Sequence, residues 1–346
     1  MKIQGKKDDN NENYNQEKKA YIFTNLWVDL VTYFLIGTVI FGSYIMYFKI
    51  DDRISALKSE NQEYIFPSYS ELLHGIYYFM FLVLLHKFFL FFSINIVEKN
   101  LTPKYFVKGE EYLAEIYKKK VSTAIFKGFF FVFSTIFGYY VMKDLNFLPS
   151  SLFGNGQFSK LFDSGYPEIF FFQKPQHFDL YYKINFAFAL FDGYVLISNP
   201  LQSDFLIMVL HHLVTYSLIV FSFISNYSHV GAVVYYIHYF GDIFSCIVRS
   251  VIHLNTSDKV MFISTFVFLV VFSYTRLYVY GDVIYQVIKS SYEWNIIEYA
   301  LCSFLNILML LNVLWVVLIT KKFIKYCLTG NIEEIYKIKK EKQKSD

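Results

Sequence analysis

Of 346 residues, 55% are hydrophobic, 21% aromatic and only 18% charged, well below the roughly one quarter charged in soluble domains. This excludes an ordinary soluble enzyme and puts most of the chain in a bilayer. A net charge of +3 gives no reason to expect a nucleic-acid partner. Three cysteines, Cys246, Cys302 and Cys327, make neither a disulfide framework nor a CxxC metal site.

In chain order, residues 1–20 are polar and of mixed sign and read as a disordered tail with no signal-peptide core. Eight apolar runs follow, near 26–48, 72–97, 121–142, 180–199, 205–225, 230–253, 259–285 and 296–320. Each has about the 20 residues that a ~30 Å hydrocarbon core requires. The count falls to seven if 259–285 or 296–320 does not span. With eight spans, one side of the membrane carries 20 basic residues and the other 7, so the positive-inside bias puts both termini in the cytosol. Asn100 and Asn255 begin sequons that face the cytosol on this topology and stay unmodified. Lys342 and Lys344, three and five residues from the end, have dilysine spacing for retrieval to the endoplasmic reticulum. A plain solvated basic tail is the alternative. Cys327, beyond the last span, is a weak palmitoylation candidate.

Ionisable groups inside hydrocarbon are costly unless paired or wetted, so each is a functional hypothesis. Spans five and six hold the most. His211 and His212 are adjacent, with Thr215 one turn on. His238 and Asp242 are spaced i,i+4 and share one face, with Arg249 further along the same stripe. At 1.5 Å per residue, His211 lies about 10 Å in from one end of span five, and Asp242 about 10–15 Å from the same side of span six. The Asn226–His229 connection is short, so the two helices are expected to be antiparallel neighbours with these groups at one level. Three chemical readings stay open: hydrogen bonds that merely hold the bundle, a metal site, since three His and one Asp suffice as ligands, and acid–base or nucleophilic catalysis. The eight histidines form no HxxxH or HxxHH cluster. Asp192, in the middle of span four, is a candidate for the same cavity. Lys87, Lys127, Lys183 and Arg276 read as snorkelling or acid-paired; His74, His86 and His253 read as structural.

The stretch Met208-Val209-Leu210-His211-His212-Leu213-Val214-Thr215, continued by Leu218-Ile219, Phe221-Ser222, Asn226, Val230-Gly231, His238 and Asp242, resembles the Lag motif of ceramide synthases within the TLC superfamily. Asp204-Phe205, Lys120…Lys127, Tyr166-Pro167, Thr275-Arg276-Leu277 and Leu311-Asn312…Trp315 also match, so the similarity runs over roughly 115–330. Four positions depart from the pattern, one of them His229 in place of the usual Arg before Val-Gly. His-Asp-x-x-Asp reads His238-Tyr239-Phe240-Gly241-Asp242 here, with Tyr239 in place of the first Asp. Cys246 and Arg249 replace the usual Glu and Lys. The His-Tyr-Phe word looks instead like TRAM-type proteins of the same superfamily, which assist membrane insertion and lack the paired histidines.

The resemblance implies an all-α integral membrane protein of about eight transmembrane helices. Its last six, the TLC domain, form a bundle or barrel around an intramembrane cavity. The implied organisation is a tail at 1–20, two helices and a cytosolic loop at 21–114, the TLC domain at 115–325 and a basic tail at 326–346. It also implies transfer of a fatty acyl group from acyl-CoA, as co-substrate and with no cofactor, to the amine of a sphingoid long-chain base in the endoplasmic reticulum. His211, His212, His238 and Asp242 would be catalytic, and Thr215, Asn226, Arg249 and Asp192 would contact substrate. Membrane lipids are the surroundings, and a homo- or hetero-dimer is left open.

Overall fold

The computed structural model describes residues 5–60, 66–106, 111–154, 156–162, 174–199, 204–290 and 294–330, with side chains omitted for 5–27 and 111. These are almost entirely helical: α1 (Gly5–Glu60), α2 (Tyr69–Leu73), α3 (Gly75–Asn100), α4 (Glu111–Met142), α5 (Phe178–Ser198), α6 (Phe205–Ile224), α7 (Ser228–Val251), α8 (Asp258–Ser273), α9 (Tyr280–Lys289) and α10 (Ile296–Thr329). A π-helical turn, Tyr274–Val279, joins α8 to α9 without a break in direction. Residues 5–20, expected as a disordered tail, continue α1 as helix. They contain no proline, and after Gly5 no glycine, to interrupt it. The dilysine motif and the Tyr166-Pro167 word lie outside the described residues.

Among the described residues, seven helices are long and apolar enough to cross a membrane, with α2–α3 and α8–α9 counting as one each. The runs at 259–285 and 296–320 are both among them. The expected span that falls short is α5, whose 21 residues have spanning length, about 31 Å. Asp179, Lys183, Asn185 and Asp192 dilute its hydropathy. Two of these charges are paired, Asp192 with Lys127 in the interior and Asp179 with Lys174 at the exposed start of the helix. Asn185 accepts a hydrogen bond from Ser134 Oγ at 2.6 Å. Such pairing lets a polar helix sit among apolar ones. By contrast, α1 and α3 turn large apolar side chains outward, Phe34 at 73% and Phe91 at 75% exposure, as expected where lipid is the solvent.

The last six spans close into a ring. Contacts run from α4 to α7, from α7 to α8, from α8 and α9 to α10, then to α6, α5 and back to α4. Helix α1 packs outside against α6 and α10, and α3 against α4 and α5. In this order α6 and α7 stand opposite each other. They meet near their connecting turn, where Gly231 leaves room for Tyr182 and Ser222; a Cβ on Gly231 would lie 3.1 Å from Ser222 Oγ. Antiparallel neighbours were expected. The helices are antiparallel and in contact, and beyond the turn both line the first cavity.

Candidate active site

Two cavities share the interior of the ring. One is lined by Tyr182, Phe188, Thr215, His212, His238 and Leu301, and extends toward the α6–α7 and α9–α10 connections. The other is lined by Lys120, Lys127, Arg249, His253, Met208 and Asn199 at the opposite end. Phe131, Asp192, His211, Asp242 and Arg276 line both, so they form a waist where the cavities meet. The level matched from sequence is therefore the level at which the cavities join.

Helix α6 presents its histidines to two sides. The His211 ring packs edge-on to Trp315 of α10, with centroids 5.1 Å apart, and the His212 ring lies 5.8 Å from Tyr216. Tyr216 in turn hydrogen-bonds the Ala189 carbonyl of α5 at 3.1 Å. Among the described residues, His211 Nδ1, His212 Nε2 and Thr215 Oγ1 are buried without a hydrogen-bond partner. Buried polar atoms in this state are candidates for groups that meet a ligand.

On α7, His238 Nδ1 lies 2.7 Å from the Val234 carbonyl. A carbonyl only accepts, so Nδ1 carries the proton and Nε2 carries the lone pair. That Nε2 is buried and also lacks a partner among the described residues. The ring is wedged edge-on against Tyr280, with centroids 5.0 Å apart, so its direction is fixed.

Asp242 does not hydrogen-bond a histidine. Its Oδ1 accepts from Arg276 Nη2 at 2.6 Å, and the guanidinium also donates to the His238 carbonyl at 3.2 Å and to Asn312 Oδ1 at 3.4 Å. Arg276 is 4% exposed and stacks over the Phe272 ring. A carboxylate in this low-dielectric interior needs a cation more than it needs a neutral imidazole. The π-helical turn delivers that cation, as such turns often do at functional sites. Gly241 makes the approach possible, because a Cβ there would lie 2.7 Å from Thr275 Oγ1.

The remaining expected residues divide. Asp192 reaches the waist and is paired with Lys127; Thr215 lines the first cavity and Arg249 the mouth of the second. Asn226 lines neither. It occupies the α6–α7 turn with φ 65°, a left-handed conformation that Asn tolerates better than most residues, and its place there is explained by the turn. Tyr239, where the motif has its first Asp, is buried in an aromatic wall with Phe131 and Phe188 at 5.0 and 5.9 Å. Of the histidines read as structural, His74 is exposed, His86 and His253 have hydrogen-bond partners, and His253 also lines the second cavity. His86 Nε2 lies 3.0 Å from Thr123 Oγ1, and His253 Nδ1 lies 2.7 Å from the Tyr105 hydroxyl.

Sequence reasoning left several contributors without a role in the site. Arg276 was read only as snorkelling or acid-paired, and it pairs with Asp242; Asn312 and Trp315 lay in words matching the family but had been given no role. Arg53 and Glu298 were missed altogether. They form a bidentate pair at 2.6 and 2.9 Å at the far end of the first cavity, to which Tyr227 adds a hydrogen bond at 2.6 Å. The available signal was the Asn295…Glu298 spacing, which reads as a helix start.

The chain is similar to ceramide synthase 5 of Homo sapiens, with 31% identity over 161 residues. That alignment takes in 44% of this chain and 40% of the human protein, so well under half of the relative is matched. Residues 120–321, the six-helix ring with its histidines and its Asp242–Arg276 pair, match the TLC domain of TRAM, LAG1 and CLN8 proteins, and the chain therefore belongs to the TLC-domain family.

Proposed function

We propose that this protein is an acyl-CoA-dependent N-acyltransferase of ceramide-synthase type, acting in the endoplasmic reticulum membrane with both termini in the cytosol. One observation carries the reading: three imidazoles line the apolar cavity, and one of them, His211, stands at the waist where that cavity meets a basic-mouthed one. In this reading Lys120 and Arg249 at the cytosolic mouth meet CoA phosphates, the thioester sits at the waist, and the acyl chain extends beyond it. The neutral amine of a sphingoid base forms its new C–N bond at the thioester carbonyl, and the C–S bond breaks. The proton lost by the amine passes through an imidazole to the departing thiolate. An unprotonated ring nitrogen held in place, such as His238 Nε2, suits that step. His211 and His212 are the candidates for a group that takes the acyl chain or the amine proton. The Asp242–Arg276 pair positions His238 and fixes the charge at the waist.

The test is production of the protein in a host lacking its own ceramide synthases, supplied with labelled sphingoid base and acyl-CoAs of several lengths. Labelled ceramide above the empty-vector level, reduced to that level by His211→Ala or His212→Ala, supports the reading. Ceramide at the vector level for every chain length sinks it. Tyr239 supports a second reading: where the motif has an acid this chain has a buried phenol, as in TRAM-type proteins that assist membrane insertion. Absence of ceramide together with defective insertion of other membrane proteins in cells lacking this chain would favour it.

A further inference from the structure

Toward the α6–α7 and α9–α10 connections the first cavity ends at a charged cluster, and one of the groups building it comes from outside the TLC domain. Arg53 belongs to α1, yet its guanidinium grips Glu298 in the first turn of α10, and Tyr227 of the α6–α7 turn donates to the same carboxylate. The two ionic side chains are 8% and 6% exposed. Glu298 lines the cavity beside Trp294, and above it the walls are apolar, through Leu301, Leu305 and Leu308.

We infer that the Arg53–Glu298–Tyr227 cluster is a ruler that limits the length of the acyl chain, an inference that rests on the acyl-transfer reading above. Waist and floor are both marked on α10. Asn312 bonds Arg276 at the waist and Trp315 packs on His211, while Glu298 sits fourteen residues before Asn312 and seventeen before Trp315. At 1.5 Å per residue the drop is about 21 to 26 Å. Van der Waals clearance between the terminal methyl and the carboxylate takes up about 4 Å. A zigzag chain advances about 1.25 Å per bond, given C–C bonds of about 1.5 Å. The slot therefore holds an acyl chain of about 15 to 18 carbons. A longer chain would have to press methylenes against a buried ion pair and break it. That is a sharper limit than an apolar floor, which could yield by changing rotamers.

The experiment uses the full-length protein in detergent and acyl-CoAs of 12, 16 and 20 carbons carrying a diazirine on the terminal carbon. Cross-linked residues are mapped by peptide mass spectrometry, and amide product is measured in parallel. The 16-carbon probe should mark the Trp294–Leu301 region. The 12-carbon probe, about one helical turn shorter, should mark Cys302–Leu305, and the 20-carbon probe should label weakly. Leu301→Trp, which fills the slot one turn above Glu298, should shift the preferred length down by about four carbons. Arg53→Ala with Glu298→Ala, which removes both charges together, should shift it up by two or more.

Marks at the same residues for all lengths overturn the ruler whether or not amide forms. So does an unchanged preference in both folded variants. Length-dependent marks without any amide product leave the ruler standing and overturn the transfer reading. Labelling confined to the lipid-facing sides of α1 and α3 overturns both.

Discussion

The Asp242–Arg276 pair makes a prediction whose size follows from its surroundings. Arg276→Met keeps the apolar stem against Phe272 but removes the cation, leaving Asp242 in the interior without its partner. Removing one member of a buried pair costs about 3–5 kcal/mol. Asp242 is 25% exposed to the cavity, where water can solvate the orphaned carboxylate, so the cost should be at the low end, about 3 kcal/mol. Asp242→Asn keeps an acceptor for the guanidinium, and Arg276 still has Asn312 and the His238 carbonyl. Its cost should be smaller, about 1–2 kcal/mol. Arg276→Met with Asp242→Leu leaves no charge behind and should come back to within about 1 kcal/mol of the parent, since buried pairs are often replaceable by apolar groups. Thermal melts in detergent, read as the monodisperse fraction after heating, order the variants; at roughly 2–4 °C per kcal/mol the single Arg276 variant should melt about 6–12 °C lower. If Arg276→Met melts within 2 °C of the parent, or the double variant is no better than it, the pair is not what holds Asp242 in place.

Three further outcomes follow. His253 lies beyond the end of α7, and burial, reinforced by Lys120 and Lys104, holds its pKa down to about 3, below the ~6.5 of the unfolded chain. The unfolded state therefore binds the proton first, and the stability His253 contributes above pH 6.5 is lost as pH falls, by about 1.4 kcal/mol at pH 5.5; His253→Phe should flatten that part of a melting-versus-pH curve. A Cβ on Gly193 would collide with the Tyr216 hydroxyl, so Gly193→Ala should cost about 1–3 kcal/mol in the same melt, and adding Tyr216→Phe should recover part of it. The two sequons lie side by side, Asn255 N–H donating to the Asn100 carbonyl at 2.8 Å, so a glycan-shift gel should find both unmodified, and glycan on either would reverse the proposed orientation.

Hydropathy made most helices legible because a bilayer enforces length and apolarity together. It understated α5, whose charges are compensated by partners that no single-sequence pattern pairs with it. Lys127, one such partner, is 65 residues away. The level of the histidines and Asp242 could be counted from helix ends, since rise per residue is fixed. Their relative direction could not, because ring order is set by tertiary packing and not by turn length. That is why α6 and α7, joined by the three-residue connection 225–227, were expected side by side and, beyond the contact they make, face each other across the first cavity. The partner of Asp242 was hidden for a similar reason. An i,i+4 spacing shows which residue of the same helix is near, but the stronger partner came from a π-helical turn 34 residues on.

The opposed arrangement of α6 and α7 suits the chemistry proposed for it. Two adjacent histidines on a single helix cannot both face one reacting carbon, because consecutive residues diverge by about 100° around the axis. Here they divide the task by direction, His211 toward α10 and both cavities, His212 toward α5 and the apolar cavity alone. The third imidazole arrives from the far wall, with its proton already committed to Val234. A carbon held at the waist is thus met from both sides, and neither helix has to bend to reach it. The cost falls on the ring, which must keep both walls at a fixed spacing. The buried Arg276 links α7 to α10 at the waist, and Arg53 and Glu298 link α1 to α10 at the floor. With Lys127–Asp192 joining α4 to α5 at the waist, these ionic crosslinks at two depths hold the slot open in a fold whose remaining contacts are mostly apolar and could otherwise slide.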